Sequence, residues 1–175
     1  MRDTPFGYGS VSKMLHWLVA ALVLGALAVG LLLEDLPNDI RGGVMGIHKS
    51  VGVIVLVLMV LRLAWRLWSR FPKLPAGLPP WQARLARLAH VAFYPLLILM
   101  PLSGWAMSSA AGYPTSVFGL VTLPMLGEKN DALRELFSAA HSAIAWMIII
   151  LLAAHIGAAI YHHYFQGQKT IRRML

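Results

Sequence analysis

His141-Ser142-Ala143-Ile144-Ala145-Trp146-Met147-Ile148-Ile149-Ile150-Leu151-Leu152-Ala153-Ala154-His155 is an apolar stretch closed at each end by an ionisable ring. Fourteen steps of about 100° bring the second histidine about 40° short of four full helical turns, and about 21 Å further along the axis. A helix here therefore sets both rings on one face, one near each surface of a hydrocarbon layer roughly 30 Å thick. The uncharged run continues on both sides, from Leu136 to Gln168. Its last turns, ending in His162-His163-Tyr164, are expected to emerge among lipid headgroups.

Three more runs resemble it in length. Residues 14–33 carry no charge. The stretch between Arg41 and Arg62 carries only Lys49, which can snorkel to the interface, and a third run extends from Arg87 to Ser109. The first run is longer than the apolar part of a signal peptide and carries His16 and Trp17 near its start, so it reads as a retained helix. The expected architecture is an all-α membrane protein. It is a single four-helix transmembrane bundle over residues 1–175, with helices at roughly 12–33, 44–68, 86–109 and 136–164.

Composition agrees. The 175 residues are 58% hydrophobic and 13% charged, with a mean hydropathy of +0.67, far from the balance of a soluble or disordered chain. No cysteine is present, which excludes disulfide scaffolds, thiolate metal sites, iron–sulfur clusters and thiol catalysis. The net charge of +8 is distributed as a topology signal, and no nucleic-acid partner is expected. Six of the seven acids lie in 34–39 and 128–135. Eleven of the fifteen basic residues lie in the N-terminus, 62–87 and the C-terminus. The positive-inside rule then puts both termini in the cytoplasm and the loops 34–45 and 110–135 outside, which in a bacterial inner membrane is the periplasm. The proline-rich inner loop 71–80 is expected to be extended. In the outer loop, Val117 to Met125 is expected on the membrane surface, and Glu128 to Phe137 as lead-in turns of the fourth helix.

Ionisable residues inside a membrane span are costly and mark function, and this chain has seven histidines. His48, at the outer start of the second span, is level with His141. His155, at the inner end, has two partners by depth, His16 and His90. Two His–His pairs stacked across a bilayer suit two bis-histidine b-type haems, in which iron exchanges single electrons with little rearrangement. Small residues near the ligands leave room for a flat macrocycle: Gly46 and Gly52, Ala139 and Ala140, and Ala153, Ala154 and Gly157. A single zinc or copper site fits less well, because the histidines divide between two depths. A proton relay lacks an intramembrane carboxylate.

The order and spacing of these residues resemble the bacterial cytochrome b561 family over nearly the whole chain. The resemblance is carried by Leu15-His16-Trp17, Gly46-Ile47-His48, Val60-Leu61-Arg62-Leu63 with Arg66, and Leu88-Ala89-His90. It continues in Phe118-Gly119-Leu120, the His141–His155 interval, Ala159 and Tyr161-His162-His163-Tyr164-Phe165 with its basic tail. It implies iron ligation by His16 with His155 and by His48 with His141, two haem b groups, and roles for His90 and His162 in quinone contact or proton delivery. Arg62 and Arg66, one turn apart, suit both positive-inside anchoring and pairing with haem propionates.

Family members of this size that oxidise superoxide pass its electron from the periplasmic face through both haems to ubiquinone. The resemblance implies the same oxidoreductase activity here, with Arg41 and Lys49 offering positive charge to the anion. Lys73 and Arg84, on the inner loop, would then close over the quinone headgroup. The alternative implied is a cytochrome b subunit that carries electrons between a periplasmic redox protein, of hydrogenase or dehydrogenase type, and the quinone pool. A helical protein whose histidines are merely structural leaves the paired depths unexplained.

Overall fold

The structure, a computed structural model, describes residues 3–4, 7–69, 72, 78–168 and 170–175. Four helices dominate: α1 (Ser10–Leu32), α2 (Asn38–Trp68), α3 (Pro80–Ala110) and α4 (Asp131–Ile160). Each is long and apolar enough to cross a membrane. In hydrocarbon a helix satisfies its own backbone groups, so apolar runs of this length have few other choices. The faces turned away from the bundle carry large exposed apolar side chains such as Leu24, Val57, Leu99 and Ile150, as a lipid-facing surface does. The protein is a multi-pass membrane protein.

The helices overrun the expected bounds because charge bounds a hydrocarbon span and not a helix. α2 begins at Asn38 and α3 at Pro80, six residues before each expected start. Pro80 suits the first helical position, where its missing N–H has no partner to lose. α4 begins at Asp131, where the Asn130 side chain accepts from the Leu133 N–H at 3.0 Å. This N-cap satisfies one of the orphan donors of the first turn. At its other end α4 gives way to a π-helical turn, Tyr161–Phe165, so His162 and His163 leave the register of the span. A short 3-10 turn, Ile171–Arg173, follows in the tail.

The expected all-α fold has one exception. β1 (Thr115–Val117) and β2 (Val121–Leu123) pair antiparallel between α3 and α4, where a surface-lying segment was expected. Phe118 at φ 50° and Gly119 at φ 75° make the turn. A bulky residue at positive φ is strained, and here it is held by the buried Ser50 of α2. Ser50 Oγ accepts from the Phe118 N–H at 2.9 Å and lies 2.8 Å and 3.2 Å from the Gly46 and Ser116 carbonyls. The hairpin is thus pinned to α2 two residues from His48. The inner loop 71–80, expected to be extended, and Lys73 within it lie almost wholly outside the described residues.

The tightest packing is at mid-span, where Val19, Val23, Val55, Met59, Leu97 and Ile148 form one buried cluster. Above and below it the bundle opens into two cavities. One lies toward the hairpin and the other toward the chain termini, and Val23, Leu97 and Ile148 line both. The core is therefore the wall between two sites.

Candidate functional site

The hairpin-side cavity, about 260 Å³, is lined by His48 and His141. Their ring centroids are 6.3 Å apart with planes at 73°. In the termini-side cavity, about 250 Å³, the His16 and His155 rings are 6.4 Å apart at 62°. Two imidazoles facing one metal from opposite sides, each at about 2 Å, hold their centroids roughly 6 Å apart. Both pairs have that spacing. Among the described residues no three His, Cys, Asp or Glu side chains gather as a metal-ion cluster. A facing histidine pair in each cavity suits a haem iron, whose macrocycle supplies the other four ligands.

The orientation of His141 is set from α3. Ser103 Oγ donates to the Met100 carbonyl at 2.8 Å, and His141 Nδ1 lies 3.1 Å from that carbonyl and 3.0 Å from Ser103 Oγ. A carbonyl only accepts, so Nδ1 carries the proton and Nε2 keeps its lone pair for a ligand. Glycine lets the backbone approach this closely. A Cβ at Gly104 would lie 3.1 Å from His141 Cε1, and one at Gly30 would lie 3.3 Å from His48 Cε1. The small residues that make room for the rings are therefore on neighbouring helices. Gly46 and Gly157, expected from their closeness in sequence to the ligands, would bring an added Cβ against nothing within 4 Å.

The termini-side cavity holds a third histidine and far more positive charge. His90 lies 5.6 Å from His155, and Phe93 lies 5.4 Å from it. Arg62, Arg66 and Arg173 also line the cavity. Arg62 donates to His16 Nδ1 at 3.1 Å. Because a guanidinium cannot accept, His16 in this arrangement carries its proton on Nε2, the reverse of His141. Ligation through Nε2 requires Arg62 to let go, and a carboxylate is the partner a guanidinium prefers to a neutral imidazole. Arg66 stands 5.2 Å from the centre of the Tyr94 ring. The tail borders this cavity through Thr170, Ile171 and Met174, and the Met174 carbonyl accepts from Trp17 Nε1 at 2.7 Å.

Two residues expected to act at a site are engaged elsewhere. Arg41 donates to the carbonyls of Glu34 and Leu36 at 2.7–3.2 Å, closing the turn between α1 and α2, and does not line the hairpin-side cavity. His162 Nδ1 lies 2.8 Å from Gln166 Oε1 and does not line the termini-side cavity. Lys49 does line the hairpin-side cavity and donates to Ser108 Oγ at 2.7 Å. Ser103, Gly30, Gly104 and Thr115 were not expected from the sequence. Only Gly104, in the Pro101-Leu102-Ser103-Gly104 run of a transmembrane helix, offered a local signal.

Comparison with known proteins is consistent with this geometry. A family model for prokaryotic cytochrome b561 matches residues 7–175. Cytochrome b561 homolog 2 of Escherichia coli (strain K12) is 33% identical over 175 residues, covering 99% of this chain and 93% of that protein. Cytochrome b561 homolog 1 of the same organism is 33% identical over 73% of the chain and 72% of its own length. A Yersinia pestis protein named probable superoxide oxidase CybB is 30% identical over 96% of the chain and 95% of its own length. The chain belongs to the prokaryotic cytochrome b561 family of membrane electron-transfer proteins, whose cofactor is b-type haem.

Proposed function

We propose that this protein is a di-haem oxidoreductase of the bacterial inner membrane, with both termini cytoplasmic, that oxidises superoxide at its periplasmic hairpin side and reduces ubiquinone at its cytoplasmic side. The observation that carries the reading is the pair of histidine pairs, with rings 6.3 Å and 6.4 Å apart, in cavities that share Val23, Leu97 and Ile148 as lining. When bound, b-type haem supplies reversible one-electron transfer at each site. Two superoxide anions each lose one electron and leave as dioxygen. One ubiquinone takes the two electrons with two protons and leaves as ubiquinol.

The residues divide this work. His48 and His141 hold the periplasmic-side group, with His141 kept in its ligand tautomer by the Met100 carbonyl and Ser103. Lys49 supplies positive charge beside them, where the surrounding loops are net acidic. His16 and His155 hold the second group, and Arg62 and Arg66 offer guanidinium partners to its carboxylates. His90 carries a proton toward the quinone from within the same cavity. The apolar wall keeps water out of the path between the two sites. The superoxide named for the Yersinia pestis relative agrees with this substrate.

A second reading is favoured by the hairpin tip, where Leu120 is 85% exposed and Phe118 and Val121 are more than half exposed. This is a surface on which a periplasmic redox protein can dock to deliver electrons. A visible spectrum of the purified protein during superoxide addition, with a dithionite endpoint, tests both readings. Haem bands driven to that endpoint by superoxide and reversed by ubiquinone support the oxidase. Bands reduced by dithionite alone overturn it in favour of a carrier.

A further inference from the structure

The hairpin-side cavity has a polar corner that the histidine pair does not use. Lys49 follows His48 in α2, and among the described residues its Nζ has a single hydrogen-bond acceptor, Ser108 Oγ, which itself donates to the Tyr113 carbonyl at 3.0 Å. The ammonium lies 5.9 Å from the centre of the Tyr113 ring. An ammonium has three protons to donate, and among the described residues no carboxylate pairs with Lys49. Thr115, which opens β1, is 3% exposed, and its Oγ1 is buried without a hydrogen-bond partner. Native structures rarely leave a buried hydroxyl unpaired. Both side chains line the same cavity.

We propose that Lys49 and Thr115 together form a seat for a compact oxyanion, which accepts one charge-assisted hydrogen bond from Nζ and one from Oγ1. The hairpin builds this seat: Ser50, the next residue along α2, binds the Ser116 carbonyl and the Phe118 N–H, which fixes β1 against Lys49's helix. The seat deepens the reading above and depends on it only for the source of the anion. That source is either superoxide arriving from outside or the carboxylate of a propionate on a haem held by His48 and His141.

The test uses the full-length protein loaded with haem. Thr115→Val removes the hydroxyl at nearly constant shape, Thr115→Ser restores it, and Lys49→Gln removes the charge. Haem content, the reduction potential of each haem and the rate of haem reduction by superoxide are read for each. If the seat takes superoxide, Lys49→Gln slows that reduction about tenfold and Thr115→Val about threefold. Haem content and potentials then stay constant, and the salt dependence of Lys49→Gln flattens. If it takes a propionate, both variants shift the potential or lower the retention of one haem, and the superoxide rate follows haem content. Thr115→Ser returns either effect toward the parent. No change in any readout for Thr115→Val overturns the two-residue seat, even where Lys49→Gln alone has an effect. A parent protein reduced by dithionite and not by superoxide overturns the superoxide reading alone, and the propionate arm then decides the seat.

Discussion

The hairpin-side and termini-side cavities hold histidine pairs of nearly the same spacing, 6.3 Å and 6.4 Å, in opposite states of readiness. On the hairpin side, His141 is fixed by a carbonyl and a hydroxyl with its Nε2 free, and glycines press against both rings. On the termini side, His16 Nδ1 is taken by a guanidinium, a third histidine crowds His155, and the tail borders the cavity. The first arrangement holds the His141 ring from α3, with the Lys49 ammonium lining the same cavity. The second gathers a third histidine and three arginines around its rings, the groups on which the proposed quinone reduction would draw. The same pair of side chains thus stands in two different surroundings.

The largest expected effect separates the two sites outright. His141→Ala should remove about half of the b-haem absorbance and leave the rest, and His155→Ala should remove the other half. Loss of neither or both, read by a haemochrome spectrum, breaks the assignment of pairs. Next comes His90→Ala, which should keep both haems and slow quinone reduction roughly tenfold or more, the scale of a lost proton donor. If haem is lost in its place, His90 is a ligand and His16 is not.

Two smaller changes sharpen the contrast in packing. Gly104→Ala puts a Cβ 3.1 Å from His141 Cε1 and should cost about 1–3 kcal/mol of stability, with weaker retention of the hairpin-side haem. Gly25→Ala, where a Cβ meets nothing within 4 Å, should stabilise the same fold by about 1 kcal/mol. Thermal melts of the two variants in one detergent compare them directly, and equal melts would mean that glycine is not needed against the ring. Ser103→Ala should have the smallest effect, about 1 kcal/mol, because the Met100 carbonyl still orients His141. It should shift the potential of the hairpin-side haem only, so a shift at both haems in a redox titration breaks the separation.

The four spans, the matching depths of His48 with His141, and the two histidines on one face of α4 were legible because each follows from local periodicity and charge. The same reasoning named Gly52, which lines the hairpin-side cavity, but did not find the glycines that touch the rings. Gly46 and Gly157 are near ligands in sequence and face nothing, whereas Gly30 and Gly104 touch ligand rings from other helices. It also missed the hairpin, whose two strands of three residues are too short to show a period, and whose positive φ at Phe118 depends on Ser50, 68 residues away.

By itself the sequence determined that this chain crosses a membrane four times and carries histidines at two depths, since helical rise and the exclusion of charge from hydrocarbon act along the chain. Only the tertiary structure decided which helix faces meet. It thereby set the proton on Nδ1 of His141, gave Arg62 to His16, brought Thr115 and Lys49 to one cavity, and made Val23, Leu97 and Ile148 a shared wall. These are contacts between distant segments, and no local pattern encodes the rotation of one packed helix against another.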